Sequence, residues 1–268
     1  MIGLWDNTDC VMALPFTAWS RGNGRTNQNV GEMPAYPGGS LNSTFTNMAA
    51  GYGYVFGGAG NGAGLCNFDG VDDLLATELD IVLTNASKHT WEYKVHHIST
   101  TKGRWCVKYV DGDNYLLMGV NASEKPVLFF KIGTTIKKAL SDGVLSDDTD
   151  YIIQFVKDGA TLKIYQDGSE VPAYDTQDAY NLGNYTFSDV SIGEDPTGSI
   201  SGPMSDRLHW FAYYNDAISQ ARITANAALG NDMGMLGLNT TDTMKLVTGV
   251  PVRRQVPGQI SGQLAGQF

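Results

Sequence analysis

Between residues 66 and 214 the apolar positions fall in short runs, broken every 8–15 residues by turn signals. FDGVDDLLA, HTWEYKVHHI, GRWCVKYVDG, NYLLMGVNA, VLFFKIGT, YIIQFVKDG, TLKIYQDG, YTFSDVSIG and RLHWFAYY each read as one β-strand. Asp-Gly pairs at 69–70, 111–112, 142–143, 158–159 and 167–168 punctuate them. Such pairs reach the positive-φ conformations of tight hairpins, so YIIQFVKDGATLKIYQDGSEV is predicted to be a hairpin turning at Asp158–Ala160. About nine short strands at this spacing predict an antiparallel all-β sandwich. Upstream, Val11–Phe16 reads as a buried strand ended near Pro15. Residues 20–65, with RGNGRTNQN, PAYPGGS and GYGYVFGGAGNGAG, read as a loop-rich insertion holding one or two short strands.

One helix is predicted, in AISQARITANAALG. Ser219 is its N-cap, Ile218, Ala221 and Ile223 face one side, and Gly230 is its stop. Residues 1–237 are thus expected to form the sandwich. Residues 238–268 hold spaced single hydrophobes among prolines and glycines, which cannot build a core and read as an extended arm. Val252, Val256, Ile260, Leu264 and Phe268 are its candidate anchoring plugs, with Arg253 and Arg254 set for an acidic partner.

Strand alternation also selects a candidate contact surface. In RLHWFAYY it assigns Leu208, Trp210 and Ala212 to the core, and Arg207, His209, Phe211 and Tyr213 to the opposite face. Those four are the candidate ligand or partner contacts, because sugars stack their apolar faces on aromatic rings flanked by polar groups. Trp105, Val107 and Tyr109 are likewise separated from Cys106, Lys108 and Val110.

Composition narrows the partners. The formal net charge is −10, from 18 basic and 28 acidic residues among 268. That balance opposes binding to nucleic acid or to anionic membrane surfaces, both of which require a basic footprint. Hydrophobic residues make up 42%, enough for a sizeable core. Three cysteines, Cys10, Cys66 and Cys106, are too few and too scattered for a disulfide framework or a zinc cluster, and read as small buried hydrophobes. The N-terminus lacks the pattern of a signal peptide and no apolar run reaches 18 residues, so neither secretion nor membrane insertion is expected.

Motifs for chemistry are sparse. GGAGNGAG at 57–64 has neither the G-x-G-x-x-G register nor a following helix, and no P-loop occurs. His89, His96, His97 and His209 fit no zinc-protease pattern, and His96 and His97 must point to opposite faces of one strand. A glycosidase needs two carboxylates about 5–5.5 Å apart when it retains configuration. In ELDIVL, Glu78 and Asp80 are present, but positions 82 and 83 are Val and Leu, which leaves no second catalytic acid. The acidic turns Asp72-Asp73, Asp111-Gly112-Asp113 and Asp147-Asp148 match no EF-hand loop.

Taken in order, NFDGVDDLLA, HTWEYKV, YIIQFVKDGATLKIYQDGSEV and SDVSIGEDPTGSISGPMSDRLHWFAYYNDAISQARITA resemble the concanavalin A-like lectin/glucanase superfamily, specifically laminin-G-like jelly-roll domains. The resemblance runs over residues 9–236. It implies two antiparallel sheets, one concave, with a short closing helix. It also implies a calcium ion held through the closing-strand aspartate, which matches Asp206; Ser205 and Arg207 replace the hydrophobe and acidic residue that usually flank it. Because this fold hosts lectins, adhesion modules, hydrolases, lyases and structural proteins, function has to come from the site. The leading expectation is a non-enzymatic structural or binding module of a larger assembly: a virion accessory of a tailed phage, such as a capsid decoration or fibre protein. It would contact capsid or tail proteins, display the sandwich on the virion surface and bind glycans weakly. A stand-alone carbohydrate-binding lectin and a polysaccharide hydrolase or lyase are the alternatives.

Overall fold

The computed structural model describes residues 10–15, 30–34, 42–46, 53–55, 65–98, 103–175, 183–194, 197 and 202–235. The described chain begins with β1 (Cys10–Pro15), β2 (Val30–Pro34), β3 (Asn42–Thr46), β4 (Gly53–Val55), β5 (Leu65–Asn67), β6 (Leu74–Thr77) and β7 (Ile81–Leu83). Longer strands follow: β8 (Lys88–His97), β9 (Gly103–Asp111), β10 (Asn114–Val120), β11 (Pro126–Ile132), β12 (Thr135–Ser141), β13 (Thr149–Asp158) and β14 (Thr161–Gln166). The last are β15 (Ser169–Val171), β16 (Ala173–Asp175), β17 (Tyr185–Phe187), β18 (Ser191–Ile192) and β19 (Arg207–Tyr214), then helix α1 (Gln220–Met235).

They build the expected all-β antiparallel sandwich with one helix. One sheet has eight strands in the order β15-β14-β13-β8-β19-β5-β4, with β1 pairing β19; the other has nine, β16-β12-β11-β10-β9-β18-β6-β3-β2. β7 and β17 form a separate pair. The predicted hairpin is β13–β14, closing at Asp158↔Thr161 with Gly159 at φ +58°, the left-handed conformation that glycine adopts without strain.

Core residues of both sheets meet face to face. Trp91, Tyr93 and Phe155 from the eight-stranded sheet pack against Trp105 and Phe130 from the nine-stranded one, with ring centroids 5.6–6.1 Å apart, and Phe211 backs Tyr93 at 5.0 Å. Burying one such aromatic stabilises the fold by about 3 kcal/mol. Cys10, Cys66 and Cys106 are buried thiols, as expected. β8 and β13 are buried on both faces because α1 covers part of the outer side of their sheet. There Ile218, Ile223 and Ala227 pack on Ile152, Val156, Tyr165, Trp210, Ala212 and Tyr214.

Two expectations need correction. The described residues within 20–65 hold three strands rather than one or two: β2 and β3 extend the nine-stranded sheet from β6, and β4 extends the other from β5. Their backbones find ladder partners despite a Gly/Asn/Ser/Thr-rich sequence that shows no period-2 apolar pattern. Helix α1 is capped as predicted, Ser219 Oγ accepting the Arg222 N–H at 3.3 Å, but it runs through Gly230 to Met235. A glycine inside a helix costs only about 1 kcal/mol, too little to stop one by itself. The arm residues Val252, Arg253, Arg254, Val256, Ile260, Leu264 and Phe268 lie outside the described residues. No described helix is long and apolar enough to cross a membrane.

Candidate functional site

The closing strand β19 does not present the face that simple alternation assigns it. Its pairing with β8 slips between Leu208 and Trp210, a β-bulge that leaves His209 as an extra residue. Beyond the bulge the faces exchange. Leu208, Phe211 and Tyr213 enter the main core, while Trp210, Ala212 and Tyr214 lie under α1. Phe211 and Tyr213 are therefore interior groups and form no surface with Arg207 and His209. Tyr213 O–H instead meets His89 Nδ1 at 2.8 Å, and His89 Nε2 meets the Val82 carbonyl at 3.1 Å. Burial, aided by the nearby Lys157 ammonium, lowers the His89 pKa to about 4, so the ring is a neutral structural group.

Arg207 and His209 stay on the outer face, beside a polar cluster. Asp150 Oδ1 bonds His96 Nδ1 at 2.8 Å and His209 Nε2 at 3.3 Å, and His96 Nε2 reaches Asp148 at 3.0 Å. Burial raises the Asp150 pKa, but its bonds to His209 and His96 and the nearby His209 and Lys94 charges outweigh that and hold it well below the usual carboxylate range. His97, one residue along β8, points inward to Asp206, so the two adjacent histidines diverge as strand geometry requires.

Asp206 does not fit a calcium ligand. Its fully buried carboxylate accepts three N–H bonds: from His97 Nδ1 at 2.9 Å, the Ile98 amide at 2.9 Å and Trp105 Nε1 at 2.6 Å. It is an acceptor that ties β8, β9 and the start of β19 together. Glu78 is exposed, and Asp80 accepts the Asp189 amide at 3.2 Å.

A different aromatic face exists on the outer side of the nine-stranded sheet, and single-strand reading missed it. Register sets Tyr109 opposite Tyr115, and Leu117 between Val107 and Phe129. Leu116, Met118, Leu128 and Phe130 point into the core, so these partners point away from it. Tyr115 and Phe129 stack with centroids 5.2 Å apart and planes 7° from parallel, and Tyr109 lies 6.2 Å from Tyr115. All three rings are half-buried and rest on a floor of Val107, Leu117, Val127 and Leu140.

A polar rim flanks the row. Lys131 Nζ sits 5.9 Å from the Tyr115 ring centroid and donates to Gly112 O at 2.6 Å and Asp113 Oδ1 at 3.0 Å. Asp111 accepts Asn114 Nδ2 at 3.0 Å and the Asp113 amide at 2.8 Å, which keeps its carboxyl below the usual range. Three adjacent strands place the rings across roughly 10 Å of sheet. The signal available in the sequence was the Asp111-Gly112 turn, which as a hairpin brings Tyr109 to Tyr115.

No protein-family model matches the chain, and no characterised protein matches it at the sequence level. Solved structures do match it in fold. A Trypanosoma rangeli sialidase in complex with sialic acid aligns with TM-score 0.54 and 13% identity, over 85% of this chain and 34% of that one. A mutant of the same sialidase displaying trans-sialidase activity aligns at 0.53 and 11%, over 83% and 33%. The binding domain of Paraclostridial Mosquitocidal Protein 1 aligns at 0.51 and 11%, over 84% and 52%. The chain thus spans about a third to a half of the length of these three structures. At this identity they show the fold alone, a β-sandwich, and do not single out the laminin-G-like type. They overturn the expectation of a non-enzymatic chain: two of these structures are of an enzyme, and absence of activity cannot be read from this fold.

Proposed function

We propose that the chain is a carbohydrate-binding sandwich whose ligand lies on the outer face of the nine-stranded sheet. The observation that carries this reading is the row Tyr109–Tyr115–Phe129, half-buried, mutually packed and edged by Lys131, Asp111, Asp113 and Asn114. Pyranose rings offer apolar C–H faces to such rings and hydroxyls to such rims. With two carboxylates against one ammonium, the rim favours neutral sugars over acidic ones. The sialidase and toxin-binding-domain neighbours support the reading at the level of fold.

The test is a glycan array on the full chain, followed by calorimetric titration of the best ligand. Tyr115→Ala and Phe129→Ala are each expected to weaken binding at least tenfold while leaving the thermal transition cooperative. Binding unchanged in both variants, or no glycan bound at all, would overturn the proposal.

A further inference from the structure

Three elements converge at one end of the sandwich: the C-terminal end of β8, the β10–β11 turn and the β12–β13 loop. A ring nitrogen of His97 and carboxylate oxygens of Glu124 and Asp147 lie within 4.8 Å of one another there. Ligands of a tetrahedral zinc-sized ion, each bound at about 2.0–2.2 Å, stand about 3.3–3.6 Å apart, so side-chain adjustments of about 1 Å close this group around one ion. A backbone bond joins the two loops, Leu145 N–H donating to Glu124 O at 2.9 Å, and Glu124 N–H closes its own turn on Asn121 O at 2.9 Å.

An independent feature of His97 points to a ligand. Its side chain is fully buried, and Nε2 has no hydrogen-bond partner among the described residues. A polar atom left in that state costs roughly 1–3 kcal/mol. Nδ1 is already committed to Asp206, so the proton of the neutral ring sits on Nδ1 and the Nε2 lone pair remains. Histidines that bind metals have this arrangement, a carboxylate holding the far N–H while the near nitrogen faces the ion. Asp206 is fixed in turn by Trp105 Nε1 and the Ile98 amide, which orients the imidazole. Asp147 is exposed and Glu124 half-buried, giving an ion access from solvent.

We propose that His97 Nε2, Glu124 and Asp147 bind a divalent transition-metal ion of zinc type, with Asp206 orienting the imidazole from behind. One imidazole and two carboxylates form a mixed N/O set that neutralises a dication and leaves a coordination position for water. The acidic turn at Asp69, Asp72 and Asp73 differs: Asp69 Oδ1 accepts the Val71 and Asp72 amides, Asp73 Oδ2 accepts the Asp69 amide, and no imidazole joins them.

The experiment uses the full chain, stripped with chelator and titrated with Zn2+ by calorimetry. About one equivalent is expected to bind, and Co2+ in its place should give the weak visible bands of N/O coordination. Asp147→Asn alters an exposed group, so it should keep the metal-free melting temperature while weakening Zn2+ at least tenfold; Glu124→Gln should match it. Asp206→Asn is expected to weaken Zn2+ 10–100-fold and to shift the Co2+ bands. The proposal is overturned if no stoichiometric Zn2+ binds, if Asp147→Asn and Glu124→Gln bind it as tightly as the parent chain, or if equimolar Ca2+ displaces it.

Discussion

Glu92 provides a quantitative test of the packing under α1. It lies on the outer face of β8 with no exposure, receiving Asn226 Nδ2 at 3.0 Å and Gln154 Nε2 at 3.3 Å. Burial lifts its pKa from the ordinary 4.5 to about 7, the bonds from Asn226 and Gln154 and the Arg222 charge offsetting only part of the rise. A raised carboxyl pKa stabilises the fold fully below about pH 4.5, where both states are protonated. Between 4.5 and 7 the unfolded chain ionises first and that contribution is lost. Above 7 the folded chain carries the whole cost. Moving the carboxyl from 4.5 to about 7 corresponds to roughly 3 kcal/mol.

Glu92→Gln removes the charge and nearly keeps the shape. Among the described residues Asn226 Oδ1 and Gln154 Oε1 have no hydrogen-bond partners, so amide rotation can supply an acceptor for the new N–H. Urea unfolding of parent and variant should give similar stabilities at pH 4.5. By pH 8 the variant should be ahead by about 3 kcal/mol, or roughly 6–12 °C in Tm for a domain of this size. Comparing each variant with its parent at every pH cancels all other titrating groups. A stability difference that stays constant across this range would refute the placement of an ionisable carboxyl in a dry environment.

Other consequences are as direct. Phe211→Ala should destabilise by about 3–5 kcal/mol in urea titrations, whereas a true surface position would move by under about 0.5 kcal/mol. Gly119→Ala should largely prevent folding, as judged by near-UV circular dichroism, because a Cβ there would collide with the Gly103 carbonyl oxygen. Ser219→Ala should cost about 1 kcal/mol through loss of the helix cap, measured by thermal melting. Cys66, fully buried with its thiol pKa pushed well up by desolvation, should resist thiol reagents at pH 8 until denaturant opens the chain.

Much of the sandwich was legible from local signals. Asp158-Gly159 announced the β13–β14 hairpin, and Ser219 marked the start of α1. The first contact surface failed because one extra residue at His209 exchanges the faces of everything after it, and a bulge has no signature in RLHWFAYY. Tyr109, Tyr115 and Phe129 were each visible, yet their union depends on register across three strands. The His97, Glu124 and Asp147 grouping joins residues 27 and 23 positions apart in sequence, and no fixed motif spans those gaps. The three strands inside residues 20–65 stayed hidden because their stability comes from ladder partners rather than from side-chain alternation.

The position of β19 has a kinetic consequence. This late strand sits inside the eight-stranded sheet, pairing β8 on one side and β5 and β1 on the other. During synthesis β1 and the β4–β5 pair have no ladder to the rest of their sheet until residue 214 has left the ribosome, while the β13–β14 hairpin is free to close early. Loop closure over about 200 residues makes the final docking slow. Until it happens, the facing edge of β8 stays open as a template for intermolecular pairing. Yield on expression should therefore respond most to temperature and chaperone supply in the interval before β19 is inserted.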